Sequence, residues 1–255
     1  MARAVRITVA GAGALGLSTA LALADEGFDV IVHDPAEPFS GASGVAAGML
    51  APAFEAVLDS EAAPHFGLLL AARDLWPALE ARAGVALDRS GALVVGSDAW
   101  LAGVREGLIR LGLHGIELPN AATLGPGLAH TGGLLNREDW RLDPRAALAA
   151  LRAAAEAKGV AFRREAVTGR GEADHLIVAT GAAQGLAPEL GHLTPIKGHI
   201  LRVATDHPGR LSIRGEGVYA VPAEGGLAVG ATMEPGVADP AVDPVHGPPL
   251  QAAGA

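Results

Sequence analysis

The fold of this 255-residue chain is decided near its N-terminus, by the stretch Val5-Arg6-Ile7-Thr8-Val9-Ala10-Gly11-Ala12-Gly13-Ala14-Leu15-Gly16. A short β-branched apolar run that stops at a glycine predicts a buried strand. An alanine- and leucine-rich helix is predicted over residues 14–26, and Gly27 stands where a C-terminal cap would. A second strand is predicted over 29–33. The stretch therefore opens a strand, helix, strand unit with three glycines in its first turn.

Each of these glycines has a physical role. Gly11 makes the tight turn, Gly13 lets the backbone approach a pyrophosphate, and Gly16 lets the helix pack on the strand. The free N–H groups and the dipole at the helix N-terminus favour phosphate. Asp34 ends the second strand, where a carboxylate accepts from ribose hydroxyls and disfavours a 2′-phosphate. The unit therefore predicts a site for an ADP group, which FAD and NAD share.

A second stretch, over residues 40–52, favours FAD. It consists almost entirely of small residues, so its backbone amides can come close to a second phosphate and to a flat ring system. A flexible linker would also be rich in glycine. However, a linker explains neither the embedded Met49-Leu50 nor the absence of charge. We therefore expect FAD as the cofactor.

The chain resembles the D-amino-acid oxidase superfamily of flavoproteins, and within it the glycine oxidases of thiamine biosynthesis. The first matching piece, residues 7–34, is shared by many flavoproteins, whereas the sequences AAGMLAP and GATM are more specific. The matching pieces follow the family's order along nearly the whole chain: 7–34, 41–43, 47–52 with Glu55, 142–145, 177–181, 195–199, 219–222 and 229–233.

The pattern and the resemblance together predict an α/β fold. A Rossmann-like FAD-binding domain is expected from residues 1–52 and 140–195, interleaved with a mixed α+β substrate domain from 53–139 and 196–255. Beyond the first unit, the pattern predicts helices over 61–82, 98–113 and 144–158, and strands over 85–87, 92–95, 160–163, 166–168, 175–179, 199–203, 218–221 and 227–229.

Carried over residue by residue, the resemblance implies a set of site residues. Tyr219 matches a tyrosine that helps to hold the substrate carboxylate, and Met49 and Met233 match residues that line the pocket near the flavin. Val167 matches a position whose backbone meets the adenine. With the glycine motif, the expected FAD contacts are Gly11, Gly13, Ala14, Leu15, Gly16, Asp34, Pro35, Ala42, Ser43, Ala47, Gly48, Met49, Val167 and Gly181.

The resemblance implies oxidation of a small amino acid such as glycine, with dioxygen as the second substrate and an imine that feeds thiazole formation. Two alternatives stay open. One is a sarcosine or D-amino-acid oxidase or dehydrogenase, and the other is a flavin-binding remnant without catalysis. The family's later arginine, which pairs with the substrate carboxylate, and its glycine-rich closing segment have no counterpart before residue 255. None of the arginines after Lys197 falls on a family motif, so weak flavin binding and poor oxidation of glycine are expected.

Composition excludes several other classes of function. The net charge of −9 lacks a basic block, so nucleic acid is an unexpected partner. The absence of cysteine excludes disulfides, thiolate metal sites and cysteine nucleophiles. The nine histidines are dispersed, so no metal site is expected. No stretch is long and apolar enough for a membrane span, and the glycine spacing disfavours reading the N-terminus as a signal peptide. We expect a cytoplasmic protein, and homo-oligomerisation is left open.

Overall fold

The structure is a computed structural model that describes residues 4–124, 128, 132–183 and 185–253. Its helices are α1 Ala14–Asp25, α2 Ala42–Val45, α3 Pro52–Leu58, α4 Phe66–Asp74, α5 Trp76–Ala83, α6 Asp98–Arg110, α7 Pro144–Ala157 and α8 Gly247–Ala253. Its strands are β1 Arg6–Ala10, β2 Asp29–His33, β3 Met49–Leu50, β4 Ala92–Val95, β5 Ile116–Leu118, β6 Gly133–Asn136, β7 Trp140–Arg141, β8 Ala161–Arg163, β9 His175–Val178, β10 Ile196–Lys197, β11 Ile200–Ala204, β12 Ser212–Gly215, β13 Val218–Ala223, β14 Gly226–Gly230 and β15 Glu234–Pro235.

A four-stranded sheet in the order β8-β2-β1-β9 carries the predicted strand, helix, strand unit. All of its pairings are parallel, and Val9 is opposite both Val32 and Ile177. Helices α1 and α7 cover one face, where Leu17 and Leu151 are fully buried against the strands. Alternate residues of β1 and β2 enter this core because successive side chains of a strand point to opposite faces. The predicted Rossmann-like fold is confirmed.

The second large sheet is mixed and has seven strands, in the order β11-β14-β13-β12-β4-β6-β5. Only the pairing of β12 with β4 is parallel. Helices α3 and α6 cover one face of it, burying Phe54 and Leu108 against Val94 and Leu134. Its strands come from two separated parts of the sequence, 92–136 and 200–230, as an interleaved substrate domain requires. The exact boundaries of the two domains stay a prediction.

Helix α7 begins and ends as predicted. The side chain of Asp143 accepts a hydrogen bond from the backbone N–H of Ala146 at 2.8 Å, and Pro144 is the first helical residue, where its missing N–H costs nothing. Gly159 follows the helix with φ of 89°, a left-handed conformation that favours glycine. These caps are local, so the sequence alone could predict them.

Other predicted elements were wrong. The helix expected over 61–82 is divided into a 3₁₀ turn, α4 and α5, because Pro77 has no N–H to donate to the carbonyl of Arg73. The strand expected over 85–87 is replaced by one bridge between Asp88 and Arg141, and 166–168 forms no strand. The pattern also missed α3, β5, β6 and β12. The three missed strands have three or four residues each, too few for a clear alternation.

No helix in the described part of the chain has the length and apolar character needed to cross a membrane.

Candidate functional site

The turn between β1 and α1 needs its glycines. Gly11 has φ of 103°, and a Cβ added to it would lie 2.3 Å from the carbonyl oxygen of Ala179. A Cβ on Gly16 would lie 2.0 Å from the carbonyl oxygen of Gly11, so only glycine lets the helix approach the turn this closely. Gly13 precedes the helix and offers no side-chain cap to its N–H groups. The first turn of α1 therefore keeps donors for a ligand.

Asp34 fixes the turn as well as ending β2. Its Oδ2 accepts from the backbone N–H of Ala12 at 2.8 Å, and its Oδ1 accepts from the N–H of Ala36 at 2.9 Å. Pro35, which lies between Asp34 and Ala36, donates no hydrogen bond. Each carboxylate oxygen has a second lone pair, so Asp34 can hold this turn and still accept from ribose hydroxyls.

The small-residue stretch reaches back to the start of α1. The hydroxyl of Ser43 accepts from the backbone N–H of Ala14 at 3.0 Å, and Ser43 lies with Ala42 in the short helix α2. Gly48, which follows Ala47, has φ of 78°, and a Cβ there would lie 2.1 Å from the carbonyl oxygen of Leu142. The stretch is therefore packed between the start of α1 and the start of α7, and a flexible linker is excluded.

The residues around this helix N-terminus fit FAD. Leu15 is 76% exposed in the first turn of α1, and Val45 is 45% exposed in the opposing stretch. Exposed apolar side chains near free N–H groups, together with the carboxylate of Asp34, suit a ligand with both phosphates and flat rings. Gly13 leaves the approach open, since a Cβ there would already lie 3.1 Å from the Oγ of Ser43.

Two predicted FAD contacts lie further away along the chain. Val167 is outside any strand, contrary to the expectation, because the short connection to β9 leaves it no partner strand. It lines a cavity with Thr8 and His33, on the sheet face away from α1 and α7. Gly181 has φ of 60° just after the strand that packs on Gly11, and a Cβ there would meet no atom within 4 Å. Their contact with adenine stays a prediction.

On the substrate side, Tyr219 is the second residue of β13 and lies opposite Gly230, the last residue of β14. Its hydroxyl would be 2.5 Å from a Cβ on Gly230, so the ring lies across that glycine. Burial raises the pKa of Tyr219, and the nearby guanidinium groups of Arg214 and Arg202 only partly oppose this effect. The phenol therefore keeps its proton and can donate a hydrogen bond at neutral pH.

The structure brings Met49 and Tyr219 to the same arginine, Arg214. Nη2 of Arg214 lies 3.5 Å from the sulfur of Met49, and Arg214 is directly opposite Tyr219 in the pairing of β12 with β13. Met233 is 68% exposed, beyond the end of β14. No contact joins Met233 to either residue within the described parts of the chain. The expected convergence of all three residues on one cavity therefore stays a prediction.

Sequence reasoning gave no role to the charged residues around Tyr219. Arg214 is buried and donates from Nη2 to Oε1 of Glu55 at 2.5 Å. Arg202 donates to the carbonyl oxygens of Val45 and Ala46, which ties β11 to the small-residue stretch. Glu55 belonged to a matched motif, but Arg214 lies in a strand that was not predicted. The alternation that places it beside Tyr219 was therefore not visible in the sequence.

A buried carboxylate, that of Asp139, holds the helix that carries Glu55. Asp139 is 1% exposed and accepts the backbone N–H groups of Ala53 and Phe54, at 2.8 and 3.1 Å. Burial raises the pKa of Asp139 to about 6, although these two N–H groups and Arg214 lower it. Asp139 therefore fixes the start of α3, the helix that carries Glu55.

One grouping of histidines was also missed. His199, Glu234 and His246 have ligand atoms within 4.8 Å of one another. However, Nε2 of His199 accepts the backbone N–H of Asp243 at 3.0 Å, which puts the ring proton on Nδ1. Nδ1 then donates to Oγ1 of Thr232 at 3.1 Å, so neither ring nitrogen of His199 keeps a free lone pair for a metal. Oε1 of Glu234 lies 3.1 Å from the same Nδ1 but makes no hydrogen bond within the described residues.

Comparison with known proteins agrees with this geometry. A family model described as FAD dependent oxidoreductase matches residues 6–253. The structure is similar to that of glycine oxidase from Geobacillus kaustophilus, with 26% sequence identity, a TM-score of 0.77, and coverage of 92% of this chain and 73% of that one. No curated protein matches the chain by sequence.

Two further solved structures share the fold. Iminodiacetate oxidase from Chelativorans sp. BNC1 is 24% identical, with a TM-score of 0.80 over 98% of this chain and 78% of that one. Glycine oxidase from Bacillus cereus ATCC 14579 is 22% identical, with a TM-score of 0.73 over 98% of this chain and 77% of that one.

Proposed function

Because the chain belongs to the FAD-dependent oxidoreductase family, we propose that it oxidises the amine of a small amino acid such as glycine. FAD is the cofactor of this family. The residues that would hold its ADP half are Asp34, Ser43 and the N-terminal turn of α1. Gly48 and Met49 would lie against the part of the cofactor beyond the phosphates.

One observation carries the proposal on the substrate side. Tyr219 and Arg214 lie on one face of the seven-stranded sheet, Arg214 contacts Met49 of the small-residue stretch, and the same stretch reaches the N-terminus of α1 through Ser43. The residues proposed for substrate and for cofactor are therefore linked through this stretch. A phenol and a guanidinium side by side form a suitable site for a carboxylate.

The proposed oxidation requires little acid–base catalysis by the protein's own side chains. When bound, FAD supplies a two-electron acceptor that takes a hydride equivalent from the substrate carbon and is reoxidised by dioxygen, which becomes hydrogen peroxide. The amino acid loses two electrons and two protons and leaves as an imino acid, which water converts to an oxo acid and ammonia. The protein orients the carbon–hydrogen bond and holds the carboxylate through Tyr219 and its neighbours.

Glycine is the substrate we favour because the similar structures include glycine oxidases and because Tyr219 and Arg214 offer partners for a carboxylate. In that case the imine would feed thiazole formation in thiamine biosynthesis. The alternatives are oxidation of sarcosine or of a D-amino acid, and a dehydrogenase that passes its electrons to an acceptor other than dioxygen. They differ from a glycine oxidase in substrate or electron acceptor and not in fold.

The test measures peroxide release by the purified chain with excess FAD, using glycine, sarcosine, iminodiacetate and D-alanine. The sequence alone predicted poor oxidation of glycine, because no arginine was expected beside Tyr219. Since Arg214 lies opposite Tyr219, we expect turnover with glycine in air, and bleaching of the visible flavin band by glycine without oxygen. Bleaching without peroxide in air would identify a dehydrogenase. Bound flavin that none of the four substrates reduces would contradict the proposal and favour a remnant without catalysis.

A further inference from the structure

Arg214 is placed unusually for an arginine. It lies in β12, an interior strand of the seven-stranded sheet, between Val94 of β4 and Tyr219 of β13. Its side chain is only 9% exposed, whereas that of Glu55, its one ionic partner, is 42% exposed. Arginines are almost never buried to this degree unless all their donors are used.

The donors of Arg214 are not all used. A guanidinium has five N–H groups, and Nη2 accounts for two of them through Glu55 and the sulfur of Met49. Nε is enclosed and has no hydrogen-bond partner, and Nη1 makes no hydrogen bond, in the part of the chain that the structure describes. The two N–H groups of Nη1 are therefore left for something outside the protein, and the N–H of Nε is a buried donor without a partner. A buried donor without a partner is costly, so such groups call for a ligand or water.

The position of Arg214 indicates what that ligand contacts. Met49 follows Gly48 directly and belongs to the stretch whose Ser43 meets the N-terminus of α1. The guanidinium therefore lies at the junction between the cofactor-binding stretch and the sheet face that carries Tyr219. Arg202 lies on the same face and also bonds through Nη2 alone, to two carbonyl oxygens of that stretch, but it is exposed, so water can satisfy its other donors. Arg214 is thus the arginine at this junction whose unused donors are shielded from water.

The contact between Arg214 and Glu55 leaves room for a second anion. Glu55 meets Arg214 through one oxygen and one nitrogen, whereas arginine and carboxylate prefer two parallel hydrogen bonds. Building on the function proposed above, we propose that Arg214 binds the carboxylate of the amino-acid substrate through its free N–H groups, with Tyr219 beside it. Glu55 then acts as the counter-ion that orients the guanidinium.

An Arg214 that binds the substrate carboxylate and an Arg214 that is purely structural lead to different expected effects of mutation. A purely structural ion pair with Glu55 would hold α3 on the sheet. Its loss would therefore weaken the binding of every substrate to the same extent. A carboxylate anchor discriminates between glycine and glycinamide, which has the same amine and carbon but no carboxylate charge. The difference between these two compounds is therefore the informative quantity.

The experiment compares the wild-type holoprotein with Arg214→Gln and Arg214→Lys. Titration calorimetry measures the affinity for glycolate, a carboxylate without an amine, and kinetics measure KM and kcat for glycine and glycinamide. Arg210→Gln is the matched control, because Arg210 is exposed and precedes the same strand. Flavin content and circular dichroism verify that each variant is folded. If Arg214→Gln does not fold, Arg214→Lys takes its place in the comparison. Lysine keeps the positive charge but lacks the planar set of N–H groups of a guanidinium.

For Arg214→Gln we expect glycolate affinity to fall, and KM for glycine to rise, by roughly 10- to 150-fold, the value of a hydrogen bond to a charged group. Glycinamide should change little, and Arg210→Gln should behave as the wild type. Equal losses for glycine and glycinamide, unchanged glycolate affinity, or the same selectivity change in Arg202→Gln instead would overturn the assignment. If the wild type oxidises no amino acid, both the proposed function and this inference fail. If it oxidises glycine while Arg214→Gln keeps the preference, this inference alone fails.

Discussion

There is little space for a side chain at Gly13, at the start of α1. A Cβ at this position would lie 3.1 Å from the Oγ of Ser43, the atom that accepts from the N–H of Ala14. That contact is tight for one carbon, and a branched side chain would extend further into the approach to the helix N-terminus. The same turn contains Gly16, where an added Cβ would collide with backbone and distort the fold itself.

We therefore expect Gly13→Val to fold and to lose bound flavin, because the valine side chain occupies the space that the phosphates need. Flavin content after purification, from the visible absorbance per chain, measures this. Gly41→Ala is the control, since a Cβ there meets no atom within 4 Å and the residue is in ordinary extended conformation. Full flavin occupancy in Gly13→Val would refute the placement of the cofactor.

Helix α3 depends on a residue far from it in sequence. Its first N–H groups, those of Ala53 and Phe54, are satisfied by Asp139 and not by a local cap. The helix has seven residues, and helices this short are marginal without tertiary contacts. The position of Glu55, and through it that of Arg214, is therefore tied to Asp139.

The titration of Asp139 should be visible in the stability of the protein. Burial raises the pKa of Asp139 from 3.8 to about 6 in the folded state, so the folded state binds a proton that the unfolded state has lost. Its contribution is therefore present in full below about pH 4 and is lost as the pH rises through about 6, by about 3 kcal/mol in total.

We expect the stability difference between the wild type and Asp139→Asn to shrink between about pH 4.5 and about pH 7.5, because asparagine does not titrate. Urea unfolding followed by tryptophan fluorescence measures it at both pH values. Asp143→Asn, at the start of α7, is the control for losing a carboxylate that caps a helix. A difference that is constant across this range, or that grows with pH, would contradict the titration.

At the scale of the whole molecule, hydrogen bonds tie the seven-stranded sheet to β7 and to the small-residue stretch. Arg141 of β7 donates to Asp88 and to the carbonyl oxygen of Pro222 in β13, and Arg202 of β11 donates to the small-residue stretch. A cofactor that contacts both the stretch and the sheet face would add to these links. Anything that binds the folded chain and not the unfolded one stabilises it by mass action.

FAD at about 100 times its dissociation constant should stabilise the chain by about 2.7 kcal/mol. For a chain of this size that raises Tm by roughly 5–10 °C. Differential scanning fluorimetry with a dye outside the flavin bands measures the shift. ADP should give a smaller rise and compete with FAD, since it fills only the site at Asp34 and α1. A larger shift with NAD than with FAD would contradict the cofactor assignment.

Local features were predictable from the sequence because their causes lie within a few residues. The turn at Gly11 to Gly16, the acid at Asp34 and the caps of α7 at Asp143 and Gly159 all depend on backbone conformation or on neighbouring side chains. Short apolar strands such as β1 and β9 were predictable for a similar reason, because an apolar run of this length that ends at a glycine favours a strand. These features were enough to predict the Rossmann-like fold and a site for an ADP group, and the small-residue stretch over 40–52 then favoured FAD.

The charged part of the site was decided only by tertiary structure. Arg214, Glu55 and Asp139 come from three separated segments, and no spacing in the sequence links them. They meet because β12 is inserted between β13 and β4, a pairing set by long-range packing of the sheet. A buried charge is tolerated only where distant partners converge on it, so its role can be read only once the chain has folded. The sequence determined the glycine turn and the helix N-terminus at which we expect the cofactor's phosphates, and the folded sheet determined which arginine stands beside Tyr219.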